Sequence, residues 1–209
     1  MTNTPILTAM LGAILCVCVP KADAYEIAEK SINTVTTSVT KKSQEKDFNV
    51  VEFLSTRLVK PGNMGFEATT LESSNSERKF VVLYFSAHWC PACKKITPRL
   101  VEFYNEKRKH HSNFEFVFVS SDRSEEEMFQ YMKGYRMPWA ALKFSEKIED
   151  KSILKHAGRG IPCVVVIDPD GEVIASSFEE GKYQGPIKPV ESLARILDDQ
   201  RAQKALATR

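Results

Sequence analysis

The feature that most constrains the fold is a continuous apolar run that leads directly into a helix-forming segment. The run, FVVLYFSA at Phe80–Ala87, lacks the alternation expected of a strand with one face in water. Such a run is typical of a central strand that is buried on both faces of a sheet. The next segment, PACKKITPRLVEFYNEKRKHH, has apolar residues at helical spacing among charges, so the sequence predicts a helix directly after Cys90.

The rest of the chain continues this alternation of strands and helices. NFEFVFVSSD is a second predicted strand, and RSEEEMFQYMKGYR is a predicted helix whose Ser124 and Glu127 form a capping box. CVVVID and EVIASS flank the turn PDG as a β-hairpin, and PVESLARILDDQRAQKAL closes the chain as an amphipathic helix. This order predicts an α/β fold with a central mixed β-sheet flanked by helices on both faces.

The first 24 residues differ from the rest of the chain. Pro5–Val19 carries no charge, and Ala22 and Ala24 form an A-x-A pattern, so we interpret residues 1–24 as a signal peptide cleaved after Ala24. The predicted location is therefore periplasmic or otherwise extracytoplasmic. A membrane-anchored protein remains the alternative, because the amino terminus is the one positive charge of the leading MTNT segment.

Two further segments follow the predicted signal peptide. Residues 25–65 are rich in Ser, Thr and Lys and have no strong apolar period over their first half, so they are interpreted as a polar N-terminal extension or linker. Short β segments are expected on either side of the turn at Pro61–Asn63. The main domain is predicted to cover residues 66–209.

Charge and cysteine content restrict the functional class. The 29 basic and 27 acidic residues give a net charge of +2 with no basic stripe, which argues against a nucleic-acid partner. Of the five cysteines, Cys16 and Cys18 would leave with the signal peptide, and three thiols are too few for a disulfide-stapled scaffold. There is no second C-x-x-C to complete a four-sulfur zinc site, so no metal and no organic cofactor are predicted.

The chemistry of the chain is predicted to lie in the C-x-x-C pair Cys90 and Cys93. A cysteine at the first turn of a helix lies against unpaired backbone N–H groups and the positive end of the helix dipole, which favour the thiolate. Cys93 faces the same side about one turn deeper. Cys90 can therefore exchange with a partner's sulfur while Cys93 resolves the mixed disulfide. Pro91 suits the first helical position because it lacks an N–H.

Neighbouring residues give weaker signals. Lys94 and Lys95 add positive charge beside the pair. His88 either stabilises the thiolate and moves a proton, or is a partly exposed loop side chain without a catalytic part, and the sequence leaves both open. His110 and His111 are interpreted as complements to the dipole at the helix end.

Four quoted segments carry a family resemblance. YFSAHWCP, FVSSDRSEE, MPWAAL and GIPCVVVIDPDGEVI resemble the thioredoxin-like superfamily, and most of all its nucleoredoxin and tryparedoxin branch. They lie in the right order over about half of the chain. The resemblance implies a thioredoxin fold in which the cysteine pair cycles between dithiol and disulfide, and the polar N-terminal extension precedes it.

The resemblance also implies roles for individual residues. Trp89 would cover the edge of the active site, and Pro98 falls where the family kinks its first helix. Pro162 would be a cis-proline facing the cysteine pair, with the Ile161 backbone pairing with the bound substrate. Trp139, in MPWAAL, either packs in the core or touches substrate.

Three positions depart from the family pattern. Ala92 stands where most relatives have proline, and the residues between the cysteines help to set the redox potential. Tyr84 replaces the buried acid of general thioredoxins, as it does in the closer branch, so Cys93 must lose its proton to water or to another group. Cys163 follows the predicted cis-proline, as either a small buried core residue or a third thiol near the pair.

These features predict a thiol–disulfide oxidoreductase that acts on protein or peptide thiols and disulfides, with reduction as the favoured direction and an unidentified thiol as its upstream electron donor. Membrane contact is expected only if the signal peptide is uncleaved. Two alternatives remain: a redox-sensitive protein-binding module with little turnover, and a thiol peroxidase, for which the chain lacks a recognisable peroxidatic loop.

Overall fold

A mixed sheet of seven strands forms the centre of the computed structural model, which describes residues 50–71, 79–146 and 151–208. The predicted signal peptide and residues 25–49 of the predicted extension lie outside the described residues. Within the described part of the chain, no helix has the length and apolar character needed to cross a bilayer.

The elements follow the predicted alternation, with several short additions. The strands are β1 Leu58–Pro61, β2 Phe66–Thr69, β3 Phe80–Ser86, β4 Phe114–Ser120, β5 Ala140–Leu142, β6 Cys163–Ile167, β7 Val173–Ser176, β8 Phe178–Glu179 and β9 Lys182–Tyr183. The helices are α1 Val50–Leu54, α2 Pro91–Arg108, α3 Glu125–Gly134, α4 Lys151–Leu154 and α5 Ile187–Ala207.

Strand β3 is an inner strand of the sheet, as its apolar run predicts. The strand order is β2-β1-β5-β4-β3-β6-β7, and all seven residues of β3 are buried. It runs parallel to β4, with Ser86 opposite Ser120, and antiparallel to β6, with Phe85 opposite Cys163. The predicted hairpin of β6 and β7 is also confirmed. The last residue of β3 thus lies at one end of the sheet, between two paired neighbours.

The N-terminal hairpin extends the sheet beyond β5. Strands β1 and β2 pair antiparallel on either side of the predicted turn at Pro61–Asn63, which confirms the expected β segments. Strand β1 also pairs with β5, with Val59 opposite Ala141. Residues on both sides of the predicted boundary between 65 and 66 therefore belong to one sheet. Strand β5, with three residues, was too short to predict from its own sequence.

Alternate side chains of β3 enter two cores on opposite faces of the sheet. Val82 and Tyr84 pack with residues of α2, α3 and α5. Val81 and Leu83 pack with α1 and with Ile153 of α4. Helices therefore cover both faces of the sheet, as predicted. Because β3 is buried on both faces, its sequence does not alternate between apolar and polar residues.

The predicted capping box of α3 forms in a modified way. The Ser124 hydroxyl accepts a hydrogen bond from the Glu127 N–H at 3.2 Å, as expected for an N-cap. The Glu127 carboxylate, however, accepts from the Arg123 N–H at 3.0 Å, one residue before the cap. Glu127 thus stabilises the start of the helix twice, by donating its N–H to Ser124 and by accepting from Arg123.

Trp139 lies in the core. It is fully buried, and its ring contacts Tyr84, Tyr104 and Phe116 at centroid distances of 6.4, 5.4 and 5.0 Å. Its indole N–H has no hydrogen-bond partner among the described residues. Trp139 is therefore a core residue, as one of the two interpretations expected, and its burial excludes contact with substrate in this structure.

We expect Trp139→Ala to lower the free energy of unfolding by about 3–5 kcal/mol, because it leaves a large cavity. Trp139→Phe should cost less, about 1–2 kcal/mol, since it keeps an aromatic ring and removes the unpartnered N–H. Urea unfolding of the two variants measures the difference. Equal losses would contradict a purely structural role for this side chain.

Candidate active site

The end of β3 and the start of α2 place Cys90 as the N-cap residue of the helix. Its backbone is extended (φ −88°, ψ 114°), and its Sγ accepts a hydrogen bond from the Cys93 N–H at 3.2 Å. Pro91 occupies the first helical turn, where its missing N–H costs nothing. The Cys90 sulfur thus takes the place of the usual capping oxygen and receives an N–H at the positive end of the helix, an arrangement that favours negative charge on sulfur.

The two cysteines differ in exposure. Cys90 keeps 6% of its surface exposed, whereas Cys93 keeps none. Both are free thiols, and together with Ala87 they form a small cluster against which Ile161 packs. A partner sulfur can therefore approach Cys90 from solvent, while Cys93 is accessible only from within the site.

Cys93 is held as a thiol in this state. Burial, followed by its hydrogen bond with Cys90, raises its pKa to about 12. Hydrogen bonds from the Ser86 hydroxyl and the Ala87 backbone N–H act in the opposite direction and lower its pKa. Because Cys90 supplies two of the causes that raise the pKa, converting Cys90 to a mixed disulfide would remove them.

The loop before β6 faces the cysteine pair. The Ile161–Pro162 peptide bond is cis, the geometry that the family resemblance implies. The Ile161 carbonyl oxygen lies 3.9 Å from Cys90 Sγ. The Tyr183 hydroxyl donates a hydrogen bond to the Pro162 carbonyl at 2.9 Å, so the β8–β9 hairpin braces this loop.

The turn that carries Trp89 is tied to the end of β4. Trp89 is 48% exposed, and its Nε1 donates to the Ser121 carbonyl at 3.2 Å. The His88 backbone N–H donates to the Asp122 carboxylate at 2.6 Å. The half-buried His88 ring lies beside Tyr131, with centroids 5.9 Å apart. His88 is thus anchored through its backbone.

Lys94 contributes to the first turn of α2. Its backbone N–H donates to the Cys90 carbonyl at 3.0 Å, and its side chain is half-buried. Lys95, the next residue, is exposed.

Sequence reasoning missed Asp122. This carboxyl is 3% exposed, and its Oδ2 accepts from the Ser120 hydroxyl at 2.8 Å. Burial raises its pKa. The sequence signal for this residue was an acid just after a buried strand. Because β3 and β4 are parallel and end side by side, that acid lies at the same end of the sheet as Cys90.

Sequence reasoning also missed a hydroxyl cluster beneath Cys93, formed by Tyr84, Ser86, Thr97 and Tyr131. Tyr84 lies 2.8 Å from Thr97 and 2.9 Å from Ser86, and Tyr131 lies 2.6 Å from Thr97 and 3.0 Å from Ser86, oxygen to oxygen. Thr97 also donates to the Cys93 carbonyl at 2.8 Å. Where general thioredoxins bury an acid, this site therefore places neutral hydroxyls.

Cys163 occupies a different environment from the pair. It begins β6, is fully buried, and packs in the core that contains Phe85 and Val165. Burial raises its pKa, and hydrogen bonds with the Gly158 backbone and the Ser177 side chain partly offset this. These contacts favour the core interpretation. A redox role for this third thiol remains the alternative.

The two histidines at the end of α2 lie elsewhere. His111 is buried, with Nε2 3.2 Å from the Asp198 carboxylate, and His110 is exposed. Among residues 50–71, 79–146 and 151–208, no group of three or more His, Cys, Asp or Glu side chains is arranged to hold a metal ion.

Among the three described cysteines, we expect Cys90 to react with iodoacetamide first in the folded, reduced protein. Cys93 and Cys163 should be protected at neutral pH, because both are buried and burial raises the pKa of each thiol. Timed alkylation followed by peptide mass mapping tests the order, with denatured protein as the control. Labelling of Cys93 as fast as Cys90 would contradict the geometry.

Comparisons with known proteins show which family the chain belongs to. A family model described as thioredoxin-like matches residues 77–173. Human nucleoredoxin is 44% identical over 106 residues, which is 50% of this chain and 24% of the relative. Tryparedoxin of Trypanosoma brucei brucei is 41% identical over 112 residues, or 52% of this chain and 74% of the relative. The chain thus spans about a quarter of the length of human nucleoredoxin.

Two solved structures share the fold. The thioredoxin of Wuchereria bancrofti is 35% identical with a TM-score of 0.50, and the match covers 68% of this chain and 97% of that chain. Tryparedoxin II complexed with glutathionylspermidine is 30% identical with a TM-score of 0.51, over 62% and 88% of the two chains. The chain therefore belongs to the thioredoxin-like superfamily, in the branch of oxidoreductases that contains the nucleoredoxins and tryparedoxins.

Proposed function

We propose that this protein is a thiol–disulfide oxidoreductase in which Cys90 and Cys93 exchange electrons with protein or peptide disulfides. The observation that carries the proposal is the capping of Cys90 Sγ by the Cys93 N–H at 3.2 Å. This contact provides a stabilised sulfur at the edge of the site and fixes a second sulfur behind it. Those are the two positions that a two-step exchange requires.

Reduction of a substrate disulfide R–S–S–R′ would proceed in two steps. The Cys90 thiolate attacks one sulfur, a Cys90–S–S–R bond forms, and R′–S⁻ leaves and takes up a proton. Cys93 then attacks Cys90 Sγ, so that the Cys90–Cys93 disulfide forms and R–SH is released. The substrate gains two electrons from the pair, and an upstream thiol donor returns the protein to the dithiol.

The surroundings of Cys90 support the binding of an extended chain. Ile161, half-buried beside Cys90, precedes the cis-proline, and the family resemblance implies that its backbone pairs with a bound substrate strand. Trp89 precedes Cys90 directly, and Tyr183 is hydrogen-bonded to the Pro162 carbonyl; these side chains are 48% and 50% exposed and offer apolar contact area. Protein and peptide disulfides fit this arrangement.

Reduction is the favoured direction. The branch resemblance supports it, as does the absence of a histidine between the cysteines, where strong oxidants can carry one. The solved complex of tryparedoxin II with glutathionylspermidine supports a low-molecular-weight thiol as one class of upstream donor. Action outside the cytoplasm, after cleavage following Ala24, is part of the same proposal.

Cys90→Ser is expected to abolish reduction of insulin by the protein, because it removes the attacking sulfur. Cys93→Ser should accumulate a covalent mixed disulfide between Cys90 and substrate, which non-reducing gels and mass spectrometry detect. Cys163→Ser is the matched control and should keep wild-type turnover, since Cys163 packs in a separate core.

The same assay separates the proposal from its rival. A redox-sensitive binding module would show hardly any insulin reduction in the wild-type protein, yet would bind its partner differently in the oxidised and reduced states. Wild-type protein without turnover, or a Cys93→Ser variant that traps nothing, would contradict the proposed enzyme.

A further inference from the structure

The hydroxyl cluster beneath Cys93 contains more contacts than protons. Its four oxygens make a closed cycle of four contacts, Tyr84–Thr97–Tyr131–Ser86–Tyr84. Each hydroxyl has a single proton to donate. Thr97 directs its proton out of the cycle, to the Cys93 carbonyl. Three protons therefore serve four contacts, and the cycle can change its donor pattern without moving a heavy atom.

In the dithiol state, Ser86 donates to the Tyr84 oxygen at 2.9 Å. A hydrogen bond with Ser86 also lowers the pKa of the Cys93 thiol, because it favours the thiolate. If Ser86 turns its proton to the Cys93 sulfur, the two phenols still supply the cycle. One phenol donates to Ser86 and the other to Thr97, so each of the four hydroxyls donates once and both aliphatic oxygens still accept.

We propose that the hydroxyl cluster stabilises the Cys93 thiolate when Cys93 resolves a mixed disulfide. Ser86 donates a hydrogen bond to the sulfur, and Tyr84 and Tyr131 donate the hydrogen bonds that the remaining oxygens of the cluster accept. The inference rests on the proposed function of the cysteine pair. In this step Cys93 Sγ bonds to Cys90 Sγ, the Cys90–S–S–R bond breaks, and the proton lost by Cys93 ends on the departing R–S⁻. The cluster stays neutral throughout.

Burial explains why a neutral cluster suits this position. Ser86, Thr97 and Tyr131 are fully buried, and an ionised acid there would be costly without a partner. Hydroxyls whose protons can be redirected offer a donor when the sulfur is charged and remain paired when it is not. In the proposed step Ser86 donates to the reacting sulfur, while the two tyrosines act through Ser86 and are positioning residues.

Other titratable groups also face Cys93. These are Cys90 on α2, Tyr131 on α3 and Tyr183 on β9. Cys90 is uncharged once it is in a mixed disulfide. Burial raises the pKa of Tyr131 and Tyr183 above the ordinary tyrosine value, so neither tyrosine produces a titration midpoint below about pH 10 during resolution. Asp122, with its own raised pKa, is bonded to Ser120 and the His88 N–H.

The test follows both steps with 5,5′-dithiobis(2-nitrobenzoate) in a stopped-flow instrument. Attack by Cys90 releases one coloured nitrothiobenzoate anion, and attack by Cys93 on the mixed disulfide releases the second. The pH dependence of the second phase reports the Cys93 thiolate in the state where it acts. The first phase serves as an internal control, since it depends on Cys90.

Ser86→Ala is expected to shift the midpoint of the second phase upward by about one to two pH units and to slow that phase about 10- to 100-fold at neutral pH, the strength of a hydrogen bond to a charged group. Tyr131→Phe should shift it in the same direction by less, because one phenol remains. The first phase should be unchanged in both variants.

Tyr104→Phe is the matched control. Tyr104 packs in the same core but bonds to Glu115 at 2.7 Å, outside the hydroxyl cluster, so its removal should leave the midpoint in place. An unmoved midpoint in Ser86→Ala or in Tyr131→Phe would overturn the inference, and so would an equal shift in Tyr104→Phe. If the wild-type protein shows no second phase at all, the proposed function on which the inference rests is refuted instead.

Discussion

The hydrogen bond from the Cys93 N–H to Cys90 Sγ is the contact on which the site depends. It exists because β3 stops at one end of the sheet and α2 begins after a connection of four residues, so Cys90 caps the helix with its sulfur. The sheet fixes the end of β3 by pairing it with β4 and β6. The stability of the sheet core and the position of the reactive sulfur are therefore coupled.

A second property of the site is that its buried polar groups are almost all neutral. Beneath Cys93 lie hydroxyls that hydrogen-bond to one another, and the buried acid of this region, Asp122, holds the turn before Cys90 through the His88 N–H. A satisfied network of this kind keeps a single arrangement of side chains at little electrostatic cost. Burial and the hydrogen bond with Cys90 raise the pKa of Cys93, so Cys93 stays protonated until Cys90 has reacted, which separates the two steps in time.

Much of the fold was predictable because strong local signals agreed. The apolar run of β3, the helical spacing of α2 and the β6–β7 hairpin each appear as predicted. Strand β5 and the β8–β9 hairpin were missed, since two or three residues carry no periodicity. Strand β5 forms by pairing with the distant strands β1 and β4, and β8 and β9 pair only with each other. The α/β layering followed from the order of elements alone.

The site was only partly predictable for a related reason. The spacing of Cys90 and Cys93 is local, so the sequence revealed it. The hydroxyl cluster joins Tyr84, Thr97 and Tyr131 from three different elements, and each of these residues, taken singly, is an ordinary core side chain. Their convergence depends on how α3 packs on β3 and α2, which a single sequence does not display.

The reduction potential of the Cys90–Cys93 couple tests the account most directly. Equilibration with reduced and oxidised glutathione, followed by mass mapping of the disulfide, gives both the potential and the identity of the pair. The account predicts a Cys90–Cys93 disulfide with a potential near that of thioredoxin, about −270 mV. A potential near about −120 mV, the value of a strong oxidant, or a disulfide formed through Cys163 would contradict it.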